Sequence, residues 1–296
     1  MGPSCAFETR FLQSDPHHPN MTDASVQHIT SRENALIARL RRLSQEPLAY
    51  RKQAEVWLEG DHLCRAALAR GLRAPLAVVA DTAWIGEHGQ GQGSDERADL
   101  ATRLARQAAR VVVVPESLWK VFTGLESPAR IGFLMPLAGE HTLAGEVRAG
   151  VPTVVLDRLQ DAGNVGSILR SAAALGVGQV LALKGTAGLW SPKVLRAGMG
   201  AHFGLNLVEQ LSVDDLAGLG VPLVATSSHT ENELHSVKLP EPCAWVMGHE
   251  GQGVSEGLMA RCALSVRIPQ PGGEESLNVA AATAICLYES LRRRVA

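Results

Sequence analysis

Three short polar turns in the second half of the chain carry the residues best suited to chemistry. The first begins at Asn164, and a basic side chain, Arg170, follows six residues later. The second, at 248–253, is rich in glycine and contains one carboxylate, Glu250, while the third, at 276–279, combines a hydroxyl with an amide. Tight turns bring backbone groups close to a ligand, and positioned polar side chains can stabilise developing charge, so these turns predict a binding or catalytic pocket.

Two of the turns are predicted to begin helices. Asn164 and Ser276 are suitable N-cap residues, because their side-chain oxygens can accept from the free N–H groups of a first helical turn. Arg170 lies near the start of its helix, where the dipole favours acids. It is therefore predicted to reach a phosphate or carboxylate of a partner, and a solvated surface arginine is the alternative. Ser276 also has two options, since it can cap the last helix or contact a ligand.

A sheet must position these turns, and the second half of the sequence predicts one. Apolar strands recur at 153–156, 179–183, 205–208, 223–226, 244–247 and 265–268, with helices between most of them. Strands that are buried on both faces and alternate with helices are typical of a parallel sheet with helices on both sides. Residues 151–296 are therefore predicted to form an α/β domain.

A smaller α/β domain is predicted at 28–140, followed by a linker at 141–150. Short apolar strands alternate there with helical segments. The first helix is expected to have Ser31 as its N-cap, because apolar residues recur at helical spacing between Leu36 and Leu43. Residues 1–27 show no such periodicity and are predicted to be a disordered tail.

Composition excludes several classes of protein. Five scattered cysteines without a C-x-x-C pair argue against a disulfide framework and against a zinc site, so no metal is expected. The longest apolar stretches, such as 279–287, are too short to span a bilayer. The start of the sequence does not resemble a signal peptide, and a cytoplasmic location is predicted.

The net charge of the chain limits the ways in which it can bind nucleic acid. A net charge of −2 argues against coating nucleic acid without sequence preference, which requires a broad basic face. Between residues 30 and 73, however, nine basic residues outnumber five acidic ones, which gives this segment a net charge of +4. Such a run is either a solvated helix face or a patch that contacts phosphates.

In order, spacing and residue type, the three turns resemble the motifs of the SpoU-type (TrmH-like) RNA 2′-O-methyltransferases of the SPOUT superfamily. The matching residues are Asn164, Gly166, Arg170, Gly248, Glu250, Gly251, Gly253, the pair at 268–269, Ser276, Leu277, Asn278, Val279 and the segment 287–289. The match covers about residues 150–294. His249 departs from the pattern, because the family more often has Asn there.

The resemblance implies a fold, a cofactor and partners. It implies a C-terminal domain with a trefoil knot, S-adenosylmethionine as methyl donor, a ribose 2′-hydroxyl of structured RNA as acceptor, and a homodimer through the C-terminal domain. The stretch from Trp57 to His62 resembles the substrate-binding domain, similar to ribosomal protein L30e, that precedes such catalytic domains. Ribosomal RNA is therefore the predicted substrate, and transfer RNA is the alternative.

The resemblance also implies roles for individual residues. Contacts with the cofactor are implied for Gly248, Ile268, Leu277 and Thr226, and catalytic roles for Arg170, Asn164, Glu250, Asn278 and Ser276. Arg170 matches the residue that is proposed in the family to activate the hydroxyl. Because a guanidinium stays charged at ordinary pH, we expect Arg170 to hold an RNA phosphate and stabilise the developing alkoxide rather than accept a proton.

Two other classes of protein compete with this interpretation. A nicotinamide-dependent oxidoreductase needs G-x-G-x-x-G directly after the first strand of its sheet, whereas residues 161–166 are D-A-G-N-V-G. A catalytically silent RNA-binding relative would not need Arg170, Glu250 and Asn278 together. An RNA methyltransferase is therefore the predicted function.

Overall fold

The computed structural model describes residues 25–85, 96–125, 129–137, 143–272 and 276–295. Residues 1–24, which make up most of the predicted tail, lie outside the described residues. Two sheets form, and each takes its strands from one part of the chain. We call residues 25–137 the N-terminal half and residues 143–295 the C-terminal half.

The N-terminal half contains a five-stranded sheet with helices. Its elements are β1 (Ser25–His28), α1 (Ala35–Gln45), α2 (Ala49–Gln53), β2 (Glu55–Glu59), α3 (Asp61–Ala69), β3 (Leu76–Ala80), α4 (Glu96–Ala105), β4 (Arg110–Val114), α5 (Glu116–Phe122) and β5 (Ile131–Pro136). The strand order is β1-β4-β3-β5-β2, in which β1, β4 and β3 are parallel and β5 is antiparallel to both of its neighbours.

Two local expectations for this half were wrong. Residues 25–27, assigned to the tail, belong to β1 and pair with residues 110–112, a long-range contact that local periodicity does not reveal. The N-cap of α1 is Asn34 rather than Ser31, because the Asn34 side chain accepts from the Leu36 N–H at 2.9 Å. Ser31 instead accepts from the Glu33 N–H at 3.2 Å, within the loop before the helix.

The C-terminal half contains a six-stranded sheet. Its elements are β6 (Thr153–Leu156), α6 (Ala162–Ala174), β7 (Gln179–Leu183), α7 (Pro192–Gly198), β8 (Asn206–Leu211), β9 (Leu223–Thr226), β10 (Ala244–Met247), α8 (Glu256–Met259), β11 (Leu264–Val266) and α9 (Val279–Val295). The strand order is β11-β9-β10-β6-β7-β8, and every neighbouring pair is parallel. The predicted parallel α/β sheet is therefore confirmed.

Alternate residues of the central strands face two different apolar layers. Val154, Trp245 and Met247 belong to the larger core, on the side where α6 packs against α7 and α9. Val155 and Val246 face a smaller cluster that includes side chains of α8 and of the 3-10 helix at Asp214–Leu219. Such burial on both faces explains why the strands are continuous apolar runs.

The strand order places a crevice between β6 and β10. From β6 the chain moves outward to β7 and β8, and it then returns to the other side of β6 through β9 and β10. Met247 and Leu156, the last residues of β10 and β6, are paired in register. Open α/β sheets bind ligands at such a switch point, at the carboxyl ends of the strands.

The two halves contact each other through a charged cluster. The Tyr50 hydroxyl donates to the Glu209 carboxylate at 2.7 Å, and the Arg51 guanidinium lies 3.1 Å from the same group. Within the described ranges, no helix has the length and apolar character needed to cross a membrane, and no group of three or more His, Cys, Asp or Glu side chains is arranged to hold a metal ion.

Candidate active site

The three polar turns meet at the crevice between β6 and β10 through a chain of side-chain hydrogen bonds. The Asn164 Nδ2 group donates to Glu250 Oε1 at 3.3 Å, and the Asn278 Nδ2 group donates to Asn164 Oδ1 at 2.9 Å. Asn164 is separated from these partners by 86 and 114 residues along the chain. We call Asn164, Glu250 and Asn278 the amide–carboxylate triad.

Asn164 can bridge the turns because it does not cap α6. Asp161 is the N-cap, and its carboxylate accepts from the Asn164 N–H at 2.7 Å. Asn164 is therefore the third residue of the helix, and its side chain is free to bond elsewhere. The prediction that Asn164 caps this helix was wrong, because the sequence offers two suitable N-caps three residues apart.

Asn278, rather than Ser276, caps the last helix. The Asn278 Oδ1 atom accepts from the N–H groups of Ala280 at 2.9 Å and Ala281 at 3.2 Å, and α9 begins at Val279. The prediction of Ser276 as the cap was wrong by two residues. Ser276 is exposed and precedes the helix, which leaves its hydroxyl available to a ligand.

Glu250 binds both Asn164 and the backbone of the loop that follows β6. Its carboxylate accepts from the N–H groups of Gln160 at 3.3 Å and Asp161 at 3.2 Å. Partial burial acts to raise the pKa of Glu250, but the hydrogen bonds that the carboxylate accepts outweigh this effect and lower the pKa below its ordinary value of 4.5. Glu250 is therefore an ionised acceptor that fixes the Asn164 amide, with its oxygens already occupied.

The turn that carries Glu250 depends on two glycines. A Cβ atom on Gly248 would lie 2.2 Å from the Val254 nitrogen, and Gly253 has a φ of +68°. His249 closes the turn, because its N–H donates to the Gly253 carbonyl at 3.0 Å and its Nδ1 atom accepts from the Gly251 N–H at 3.0 Å. The ring nitrogen of His249 therefore supplies the acceptor that a short polar side chain would otherwise offer.

Sequence reasoning missed Asp157, which anchors the same turn. Asp157 follows β6 directly and is 2 % exposed. Its carboxylate accepts from the Ser255 N–H at 2.7 Å and from Arg158 Nε at 3.0 Å. A signal was present in the sequence, because an acidic residue directly after a buried strand of a parallel sheet lies at the edge where ligands bind.

Three of the four residues expected to contact a cofactor line one cleft. Thr226, Ile268 and Leu277 surround a space of about 160 Å³, and Ser276 lies at the same cleft. Ile268 follows β11, which ends at Val266 rather than extending to 268 as predicted. Gly248, the fourth residue, follows β10, the neighbour of β9 in the sheet. Residues 273–275, just before Ser276, lie outside the described part of the chain.

A residue that the sequence analysis did not select also lines this cleft. The Gln270 side-chain oxygen is buried and has no hydrogen-bond partner among the described residues. A buried polar atom without a partner costs free energy unless a ligand or water satisfies it. Gln270 is therefore a further candidate for binding a polar group of a ligand.

Arg170 lies apart from the amide–carboxylate triad. It is exposed on α6, six residues after Asn164, which corresponds to about 9 Å along the helix axis. The buried residues of α6 lie on its other face, and the described part of the chain gives Arg170 no ion pair or hydrogen bond. Its charge is thus available to a phosphate or another anion from outside the chain.

Comparisons with known proteins match the part of the chain that contains the three polar turns. The family model described as the SpoU rRNA Methylase family matches residues 152–288, the range that contains all three turns. A tRNA/rRNA methyltransferase from Synechocystis, described as uncharacterized, is 31 % identical over 92 % of this chain and 96 % of its own length. This chain belongs to the SpoU rRNA methylase family. The sequence-based identification of a SpoU-type methyltransferase is confirmed.

Other members of the SpoU family have more specific descriptions. The 23S rRNA (guanosine-2′-O-)-methyltransferase RlmB of Bordetella pertussis is 38 % identical over 68 % of this chain and 85 % of its own length. Among solved structures, the AdoMet-bound rRNA methyltransferase from Sinorhizobium meliloti superposes with a TM-score of 0.72 at 26 % identity. That superposition covers 90 % of this chain and 98 % of the other, so the similarity includes both halves.

Proposed function

We propose that this chain transfers a methyl group from S-adenosylmethionine to a ribose 2′-hydroxyl of ribosomal RNA. The observation that supports it most directly is the amide–carboxylate triad, which joins the three SpoU turns beside the cleft at Thr226, Ile268 and Leu277. RlmB of Bordetella pertussis is named as a 23S rRNA guanosine-2′-O-methyltransferase, which is the same chemistry on the same class of RNA.

The residues of the cleft fit S-adenosylmethionine. Ile268 and Leu277 offer apolar contacts to an adenine ring, and the unpartnered Gln270 oxygen can accept from an amine or a hydroxyl. Thr226 and the turn at Gly248 add polar backbone groups at the carboxyl ends of β9 and β10. When bound, S-adenosylmethionine supplies an activated methyl group.

The protein side chains then position the acceptor and manage its charge. In this proposal Arg170 holds an RNA phosphate near the reacting ribose and stabilises the negative charge that develops on the 2′-oxygen as the hydroxyl proton passes to a phosphate oxygen or to water. Glu250 orients Asn164, and Asn164 fixes Asn278 at the start of α9. Ser276, exposed at the cleft, contacts the RNA. A geometry held in this way lowers the entropic cost of bringing the hydroxyl to the methyl group.

The finer predictions about the fold and the assembly are also part of this proposal. They comprise the trefoil knot in the C-terminal half, the L30e-like character of the N-terminal half and a cytoplasmic location, where the RNA substrate is found. The proposed homodimer through the C-terminal half has support from α9. Its outer face exposes Ile285 at 41 % and Tyr288 at 59 %, an apolar surface that a second copy could cover.

The test is to map ribose 2′-O-methylation in cells with and without the gene, in both ribosomal and transfer RNA. We expect methylation to disappear from a site in ribosomal RNA and to return when the purified protein and S-adenosylmethionine are added to that RNA. Protein with Arg170→Ala is the control for contaminating activity. Loss of methylation only in transfer RNA would establish the alternative substrate, and no loss in either RNA would contradict the proposed function.

A further inference from the structure

A wide cleft lies between the two halves of the protein, outside the proposed site for S-adenosylmethionine. Its volume is about 1020 Å³, at the upper limit of the roughly 300–1,000 Å³ typical of small-molecule sites. One wall comes from the N-terminal half, at residues 44–51. The other comes from the C-terminal half, where the start of α6 and most of α7 contribute. We call this space the central cleft.

The central cleft opens directly onto the candidate active site. Gln160 and Asp161 line it, and both donate backbone N–H groups to Glu250. Gly163 also lines it and is exposed on α6, as are Ser167 and Arg170. These three positions are four and three residues apart and so share one helix face. That exposed face therefore leads from the central cleft to Arg170.

The charge of the lining suits a polyanion. Arg51, Lys193 and Arg196 line the cleft, against a single acidic side chain, Asp161. Of these cations, Arg51 forms an ion pair with Glu209, and Arg196 lies near enough to Glu59 to be attracted to it. Lys193 is exposed and, among the described residues, has no ion pair or hydrogen bond. Lys193 is therefore the cation most available to a phosphate.

The lining of the central cleft also has apolar surface on which the flat ring of a nucleic-acid base can pack. Leu48 is 48 % exposed although it lines the cleft, and Pro47 and Pro192 lie on the two walls. Single-stranded nucleic acids bind where a basic groove follows the phosphates and apolar or aromatic surfaces receive the unstacked bases. A paired helix keeps its bases stacked and cannot use such a surface.

The walls are held together before any ligand binds. Tyr50 and Arg51 of the N-terminal half bind the Glu209 carboxylate of the C-terminal half. The Leu189 N–H, also of the C-terminal half, donates to this carboxylate at 2.6 Å and fixes its position. The chain also passes close to Tyr50 at Gly188, where a Cβ atom would lie 2.5 Å from the Tyr50 hydroxyl. A cleft with fixed walls loses less conformational freedom when it binds, which favours affinity.

We infer that the central cleft holds a single-stranded segment of the RNA substrate that flanks the nucleotide to be methylated. Lys193 contacts a phosphate of this segment, and Leu48 contacts a base. This inference rests on the proposed function, because it takes RNA as the substrate, and it adds the path by which the RNA reaches Arg170.

The test measures binding of the full-length protein to a short single-stranded RNA of mixed sequence, by fluorescence anisotropy over a range of salt concentrations. Lys193→Ala should weaken binding and lower the slope of log K against log salt by about 0.7, the value for one phosphate contact on a single strand. Leu48→Ala should weaken binding without changing this slope, because it removes no charge. A duplex of the same sequence should bind with little dependence on either residue.

Lys238→Ala is the matched control. Lys238 is an exposed lysine of the same half and lies outside the lining of the central cleft. Its neighbour Val237 accepts from Arg293, which is 15 residues beyond Asn278, or about 22 Å along α9 from the triad. Calorimetry should show unchanged affinity for S-adenosylmethionine in all three variants. Equal melting temperatures would show that each variant folds.

Two outcomes would overturn the inference. If Lys193→Ala and Lys238→Ala bind RNA with the same affinity and salt slope, RNA does not occupy the cleft. If Lys193→Ala and Leu48→Ala weaken binding of the duplex as much as binding of the single-stranded RNA, the bound segment is not single-stranded. Methyl transfer by the wild-type protein separates these failures from failure of the proposed function, because a chain that methylates ribosomal RNA without depending on Lys193 refutes the cleft alone.

Discussion

Asn164 connects the three turns because its amide can donate and accept at the same time. Its Nδ2 group donates to Glu250, and its Oδ1 atom accepts from Asn278. A carboxylate at this position could not donate, and a hydroxyl would be too short to bridge both partners. The hydrogen bonds that Glu250 accepts lower its pKa and so stabilise the ionised form of this acceptor. The triad is thus suited to fixing positions, and in the proposed function Arg170 manages the developing charge.

Arg170→Ala should abolish methyl transfer and leave the affinity for S-adenosylmethionine nearly intact, because Arg170 lies apart from the cofactor cleft. Losing one positioned charge in a preorganised site typically costs about 10²–10³ in rate. Arg170→Lys should restore little, since lysine lacks the planar fork of donors. Single-turnover methylation of bound RNA, with calorimetry in parallel, measures both effects. A near-normal rate for Arg170→Ala would remove this residue from the mechanism.

A second prediction at the residue scale concerns pH and Glu289. Hydrogen bonds from Arg292, together with those from Arg293, lower the pKa of Glu289 from 4.5 to about 2. A carboxylate with a lowered folded-state pKa contributes stability above its unfolded pKa, and this contribution is lost as the pH falls through the folded value. Wild type should therefore be more stable than Glu289→Gln at pH 7, and the difference should narrow below about pH 4.5.

Urea unfolding of both proteins at a series of pH values measures this difference. The comparison with Glu289→Gln removes the contributions of other titrating groups, which the two proteins share. A difference that stays constant down to the acid limit of folding would show that the ion pairs of Glu289 do not stabilise the native state.

At the scale of elements, α6 and α9 begin where their caps can also serve the site. Asp161 caps α6 and frees Asn164, while Asn278 caps α9 with its oxygen and donates to Asn164 with its nitrogen. The start of α9 is therefore fixed to the start of α6 by a hydrogen bond between side chains. A change in either cap should affect both helix stability and the geometry of the site.

The two possible caps of α9 can be tested by a pair of substitutions. Asn278→Ala should reduce the free energy of unfolding by about 1 kcal/mol, the usual cost of losing an N-cap. Ser276→Ala should leave it unchanged, because the Asn278 oxygen already accepts from the first N–H groups of the helix. Chemical denaturation of both variants measures the free energy of unfolding. A larger loss of this free energy for Ser276→Ala would show that Ser276, rather than Asn278, caps α9.

The packing of α6 on α7 gives another prediction at this scale. A Cβ atom on Gly166 would lie 2.3 Å from the Ala197 Cβ and 2.8 Å from the Gly198 nitrogen. Gly166→Ala should therefore force the helices apart and destabilise the protein by about 1–3 kcal/mol. Gly257→Ala in α8 is the matched control, because no atom lies within 4 Å of its added Cβ. Equal melting temperatures for the two variants would contradict this packing argument.

At the scale of the whole molecule, contacts between the halves create the central cleft. Tyr50 and Arg51 lie 159 and 158 residues before Glu209 in the sequence, yet the three residues form one cluster. The fold places the basic residues of the segment at 30–73 in different environments. Arg39 pairs with Glu55 and Arg65 pairs with Asp61, while Arg51 lines the central cleft. The structure thus uses part of this charge in ion pairs within the protein, and Arg51 itself is paired with Glu209.

The proposed dimer leads to a prediction about α9. Ile285→Asp should convert a dimer to a monomer, because it places a charge in the exposed apolar face that we expect a second copy to cover. Val26→Asp is the control, since Val26 is an apolar residue of similar exposure, 45 %, in the N-terminal half. Light scattering at micromolar concentration measures the mass. A wild-type protein that is already monomeric would contradict the dimer.

The sequence by itself determined the parallel sheet and the family. Buried strands in a parallel sheet are continuous apolar runs, so their position is visible locally, and the turns with Gly248, Glu250 and Asn278 follow or flank such runs. The resemblance to the family implied cofactor contacts for Thr226, Ile268 and Leu277, which the fold brings to one cleft. The roles assigned to these residues stay predictions until the variants are measured.

Only the tertiary structure decided which of several suitable residues forms each contact. Asp161 and Asn164 are both good N-caps by type, as are Ser276 and Asn278. The choice depends on partners 86 and 114 residues away, which local spacing does not record. Gln270 and the central cleft were missed for the same reason. Their significance comes from burial and from surfaces that meet only when distant segments of the chain have packed together.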